Sequence, residues 1–139
     1  LENLIMAHPK VLEAAVIGDA VKQIGKKELK QLEAVLEKWD AWNQAGQDFS
    51  ELDGEFHRIL YSVLKNDTLM RLFDVFWVSF WGLEIDTIRD SDPVVELQAH
   101  RKILEAVKAG NTEQARANLL RHFEYIKGRI TEYQQANSS

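Results

Sequence analysis

Ser50-Glu51-Leu52-Asp53-Gly54-Glu55-Phe56-His57-Arg58-Ile59-Leu60-Tyr61-Ser62-Val63-Leu64 carries a helical period with a carboxylate and an imidazole set among its apolar residues. Asp53, Phe56, His57, Leu60 and Leu64 recur at steps of three and four, which places them along one face of an α-helix. Asp53 and His57 are therefore one turn apart on an apolar face. A carboxylate is costly to bury alone, so the core must contain something that neutralises Asp53. The helix is expected from about Ser50 to Lys65. Its opening, Ser50-Glu51-Leu52-Asp53, resembles a capping box with Asp in place of Glu.

The same periodicity extends in both directions, with no alternation of the kind strands show. Upstream, a helix begins or kinks at Pro9 and runs to about Ile24, with Gly25 marking the break. A second covers Lys26 to Ala45 and is ended by Gly46. Downstream, a fourth runs from about Thr68 to Arg89. In it Leu72, Phe73, Val75, Phe76, Trp77, Val78, Phe80, Trp81 and Leu83 leave almost no polar face, as in a central core helix. Alternatively, some of these aromatics line a cavity or a dimer seam. Asp92-Pro93 opens the fifth with a capping carboxylate and a first-turn proline, and Gly110 ends it. Asn111-Thr112-Glu113-Gln114 opens the sixth, and a polar tail from Gln134 to Ser139 is expected to fray. Short links between long amphipathic helices predict an all-α, antiparallel bundle.

Composition narrows what such a bundle can do. The chain has 139 residues, enough for one domain with its own core, and residues 1–139 are read as one unit. Its 22 acidic residues outnumber 17 basic ones, for a net charge of −5. That argues against a broad nucleic-acid surface or an anionic membrane as partner. The absence of cysteine removes disulfides, thiolate metal sites and cysteine nucleophiles, and agrees with a reducing cytoplasm. Leu1 to Met6 has no basic region before its apolar residues, so no secretory signal is read. Phe73 to Leu83, the longest apolar stretch, is too short to span a bilayer. A cytoplasmic protein is expected, and the lack of an initial Met reads as a fragment or a trimmed chain.

The histidines carry the chemistry. Leu97, His100, Leu104 and Val107 form one stripe, and Ala115, Leu119, His122 and Ile126 another, so each helix turns an imidazole towards the core. With Asp53 and His57 this makes a set of four donors suited to one divalent cation. Imidazole and carboxylate fit zinc, nickel, manganese or iron(II), and leave coordination positions open. A single buried histidine is ordinarily a satisfied core residue, and it is the convergence of four that points to a metal. His8 is read as structural or exposed. Glu96, one turn before His100, and Asn118, one turn before His122, are candidates for holding an imidazole in its ligating tautomer, beside plainer roles in dipole stabilisation and solvation. There is no phosphate-cradling glycine loop, no Gly-x-Ser-x-Gly elbow and no His-Glu-x-x-His motif.

Asp53-Gly54-Glu55-Phe56-His57-Arg58-Ile59-Leu60 resembles the D-x-x-F-H-x-x-L motif of the FCD domain, the effector-binding domain of FadR-subfamily GntR transcription regulators. Asn66-Asp67-Thr68-Leu69 resembles the turn that follows it. His100-Arg101-Lys102-Ile103-Leu104-Glu105-Ala106-Val107-Lys108-Ala109-Gly110-Asn111 is similar to the family's H-x-x-I-L-x-A-I-x-x-G-D. Ala115 to His122 is similar to its A-x-x-x-M/L-x-x-H. The resemblance runs from about Leu1 to Tyr133, loosely over the first 45 residues. It implies a bacterial six- to seven-helix bundle with a central metal and effector cavity, and metal ligation by Asp53, His57, His100 and His122. It further implies a small organic acid effector, a homodimer, and DNA binding through a winged-helix domain absent from this chain.

The expected function is thus a metal-dependent sensor domain of a transcription regulator, not an enzyme. Trp77 and Trp81 would wall the effector cavity, and Arg58 and Asn118 would contact the effector. A small metal hydrolase or dioxygenase is the rival reading, but it lacks an evident general base. A metal-free helical interaction module is the other.

Overall fold

A computed structural model describes the backbone over residues 2–77 and 92–137, and the side chains of 10–77, 92–125 and 135. Among the described residues there are six helices and no strand. They are α1 (Glu2–Gln23), α2 (Lys26–Gln44), α3 (Ser50–Ser62), α4 (67–77), α5 (Pro93–Lys108) and α6 (Thr112–Asn137).

Local chemistry sets most of the boundaries. Gly46 and Gly110 end α2 and α5 with φ of 73° and 69°, a conformation that costs glycine little. Beyond Gly110, the Asn111 amide reaches back to the Ala106 carbonyl at 3.0 Å, satisfying a terminal acceptor. Asp92 caps α5 as expected, its Oδ1 accepting from the Val94 and Val95 amides at 2.9 and 3.4 Å, with Pro93 in the first turn. Asn111 caps α6 through the Gln114 amide at 3.0 Å, but the Gln114 side chain turns away to Asn118 instead of closing the box. We expect Asp92→Ala to cost about 1 kcal/mol, a fall in Tm of roughly 3–5 °C, with Asp92→Asn close to neutral. Thermal melts of the two variants check this, and an unshifted alanine variant would refute the cap's role.

Four boundaries differ from the sequence reading. Helix α1 opens at Glu2, so of the two readings of Pro9, a start or a kink, the start is excluded; the proline is interior and costs one backbone hydrogen bond. The N-cap of α3 is Phe49, not Ser50; Asp48 Oδ1 takes the Ser50 amide at 2.9 Å, and Asp53 is buried instead of capping. Helix α3 stops at Ser62 before Lys65, which sits at φ 52°, and Asn66 then caps α4 through the Leu69 amide at 3.0 Å. Helix α6 continues through the expected tail to Asn137.

The helices pack antiparallel where their side chains can be paired. Lys10 meets Glu124 and Arg116 reaches the Ala14 carbonyl, so α1 and α6 run in opposite directions. Asn43 reaches the Pro93 carbonyl and Lys108 pairs with Glu33, so α2 and α5 do as well. The interior is continuous across all six helices, from Ile17 and Ala20 through Trp39, Phe56 and Tyr61 to Ile103, Leu119 and Phe123.

Over its described part, α4 is not the all-buried helix its composition predicted. Phe73 and Trp77, one turn apart, are buried, whereas Leu72 and Val75 are 42% and 60% exposed. Packing selects one face of an apolar segment, and the other stays at the surface. Trp81, with Val78, Phe80 and Leu83, lies outside the described residues, as does the side chain of His8. Among the described residues no helix is long and apolar enough to cross a membrane.

Candidate metal centre

Three helices each deliver donors to one point in the core. Helix α3 supplies Asp53 and His57 from adjacent turns, α5 supplies His100, and α6 supplies His122. All four residues are at most 1% exposed, and one donor atom from each lies within 4.8 Å of the others. His100 Nε2 stands 2.8 Å from Asp53 Oδ1, and His57 Nε2 stands 3.2 Å from the same oxygen. The His100 and His122 rings meet edge to face, with centroids 4.5 Å apart.

The outward-facing nitrogens are also engaged. His57 Nδ1 lies 2.5 Å from Glu13 Oε1, and His100 Nδ1 lies 2.7 Å from the Glu96 carbonyl oxygen. Because a carbonyl only accepts, His100 carries a proton on Nδ1, which turns Nε2 inward to meet Asp53 Oδ1. His122 Nδ1 is 3.5 Å from Glu96 Oε2, beyond a good hydrogen bond. Glu96 thus serves His100 through its backbone, while its carboxyl faces His122.

The electrostatics are those of a buried, polar cluster. Burial alone would raise the Asp53 pKa, but His100 and His57 outweigh it and hold the carboxyl well below its usual range. Burial alone would lower that of His57, but Glu13 and Asp53 together push it up to about 10. Burial, reinforced by Asp53, pushes Glu96 up to about 9 against the opposing effect of His57. Burial and the neighbouring His100 hold His122 well below its ordinary value, against the pull of Asp53. Burial, then Glu13, raises the Tyr61 hydroxyl well above 10; it faces that carboxylate without forming a well-aligned hydrogen bond.

Several of these buried atoms have no hydrogen-bond partner: Asp53 Oδ2, His57 Nε2 and both ring nitrogens of His122. Buried polar atoms are rarely left unpaired without a reason. Oxygen and imidazole donors around one centre, and no thiolate, are a set that can hold a divalent metal ion.

The remaining sequence candidates fall in different places. Trp77 is buried, its ring tilted against His57 with centroids 4.8 Å apart. Arg58 does not join the cluster: it points outward, is more than half exposed, and pairs with Asp74 at 3.0 Å. On a helix whose core face is Asp53-Phe56-His57-Leu60, position 58 necessarily faces away. Asn118 does not hold His122 either, since it donates to the Lys102 carbonyl at 3.0 Å and accepts from Gln114 at 2.8 Å. It does line, with His122, Lys102, Arg121 and Tyr125, a groove of about 330 Å³ between α5 and α6.

Glu13 is the residue that the sequence reading missed. It lies on the stripe of Ile17 and Ala20, is fully buried, and its Oε2 has no partner. The signal was the one used for Asp53, an acidic residue on an apolar helix face, but over the first 45 residues the family motifs gave no guide.

Comparison with known proteins agrees with this architecture. The FCD domain model matches residues 5–125. The "Uxu operon regulator" of Haemophilus influenzae is 26% identical over 129 residues, 88% of this chain and 48% of that protein. NedR of Micromonospora viridifaciens, named as a transcriptional regulatory protein, is 32% identical over 87 residues, 61% of this chain and 62% of its own. These relatives are regulators by name, not enzymes, and the chain spans 48% and 62% of their lengths. Among solved structures, E. coli McbR/YncC superposes with a TM-score of 0.81 at 21% identity, covering 97% of this chain and 65% of that one. Streptococcus agalactiae GntR superposes with a TM-score of 0.79 at 22% identity, covering 94% and 58%. The chain belongs to the FCD domain family of GntR-type transcriptional regulators.

Proposed function

We propose that this domain is the sensor of a transcription regulator, and that it binds a small organic acid through a divalent metal held by Asp53, His57, His100 and His122. The observation that carries this reading is the convergence of four buried donors, three of them with unpaired polar atoms, at the centre of an FCD domain. Zinc, nickel, manganese and iron(II) all suit the donor set. Three helices deliver the ligands, so an effector that completes the coordination shell would bias how those helices pack, which is the differential affinity a switch needs.

The ligands alone would leave about one positive charge on the loaded site, three neutral imidazoles and one carboxylate around a divalent ion. Glu13, buried in contact with His57, reduces that excess. An acid is therefore favoured as a hard oxygen donor replacing water, more than by long-range attraction. Trp77 borders the centre against His57 and suits the organic remainder of such a ligand, and Asn118 borders the groove that reaches His122. DNA contact is assigned to a winged-helix domain outside this acidic segment, in a cytoplasmic homodimer.

Calorimetric titration of metal-free and zinc-loaded protein with a panel of small organic acids tests the reading. Binding to the loaded form only, abolished by Asp53→Ala or His122→Ala, is the expected result. Equal binding to both forms would overturn it.

A further inference from the structure

Helix α3 carries both Asp53 and His57, one turn apart, so the backbone fixes where His57 begins but not which ring nitrogen meets the centre. For His100 and His122 the oxygens facing Nδ1 both come from Glu96 on α5, one by its carbonyl and one by its carboxyl. For His57 the oxygen comes from a different helix. Glu13 on α1, 44 positions away, places Oε1 2.5 Å from His57 Nδ1.

Glu13 is an expensive residue at this position. It is fully buried on a stripe otherwise occupied by Ile17 and Ala20, and no lysine or arginine side chain makes a described contact with it. The polar groups described against it are the His57 ring and the Tyr61 hydroxyl. A leucine would fill such a core site without the desolvation cost of a carboxylate. The acid is explained if His57 needs a strong acceptor behind it.

We propose that Glu13 is a positioning residue of the metal centre. It accepts the Nδ1 proton of His57, commits Nε2 to the ion, and ties α1 to a site whose ligands all lie on α3, α5 and α6. The proposal rests on the reading that the four-residue cluster holds a divalent metal. A carboxylate in this position orients the ring and raises its basicity as a ligand.

The test compares Glu13→Leu, which removes the acceptor, with Glu13→Gln, which keeps an acceptor oxygen without its charge. Zinc affinity of the 139-residue chain is measured by chelator competition, and the His57 ring by 15N and 1H resonance in the zinc-loaded protein. In the parent, His57 shows a protonated Nδ1 and a zinc-bound Nε2. Glu13→Leu weakens zinc affinity roughly 10- to 100-fold and shifts or splits the His57 signals; Glu13→Gln keeps most of the affinity, and the Nδ1 proton moves upfield. A folded Glu13→Leu protein that binds zinc within about twofold of the parent, with an unchanged His57 signature, overturns the proposal. If Glu13→Leu does not fold, Glu13→Gln decides: an unmoved Nδ1 proton resonance means that Glu13 is not the acceptor. Parent protein that takes up no zinc refutes the metal reading itself, whereas normal uptake with indifferent variants refutes this proposal alone.

Discussion

With zinc at about 100 times its dissociation constant, the domain gains about 2.7 kcal/mol of stability, seen as a rise in Tm of roughly 10 °C. The four proposed ligands come from three helices and meet only in the fold, so the metal binds the native state far better than the unfolded chain. His57→Ala should lose most of this gain. The substitution also strands the Glu13 carboxylate, which destabilises the protein before any metal is added. The comparison must therefore be made within each variant, with and without chelator, by differential scanning calorimetry. A metal-dependent rise in His57→Ala as large as in the parent would rule out the ligand assignment.

The second large effect is a reversal of pH dependence. In the metal-free domain His57 is pushed up to about 10 from an ordinary 6.5, so the folded state holds a proton there that the unfolded chain gives up. That contribution is complete below pH 6.5 and is lost as pH rises through 10. Glu96, pushed up to about 9 from 4.5, acts in the same direction between those values. His122 and Asp53, both held below their ordinary values, act oppositely, and their contributions are lost on acidification. Metal-free stability should therefore peak in the mildly acidic range and fall above pH 6.5. The slope is up to about 1.4 kcal/mol per pH unit for each proton involved. A bound metal requires the His57 Nε2 lone pair and replaces that proton, so the loaded domain should gain metal affinity over the same range. Denaturant titrations from pH 6 to 10, with chelator and with zinc, would show diverging curves. Parallel curves would mean that metal and proton do not compete at His57.

The family motifs and the helix periods made Asp53, His57, His100 and His122 legible, because a donor on a 3.6-residue apolar stripe must face the core whichever helices surround it. The caps at Asp92 and Asn111 were legible for a similar reason, since their partners lie within a few residues. The place of Arg58 opposite the core face of its helix sends it to Asp74. The fourth helix misled because composition counts apolar residues without saying how many faces will be covered.

The helical class, the bundle and the identity of the four inward donors all follow from periodicity along single segments. Packing between helices decided that Glu13 stands behind His57 and that the Glu96 carboxyl faces His122. It also decided that Leu72 and Val75 remain at the surface. Those outcomes depend on which helix packs against which, and at what register. Contacts between residues 44 or more positions apart are fixed by the summed packing of the whole core, and no local pattern encodes them.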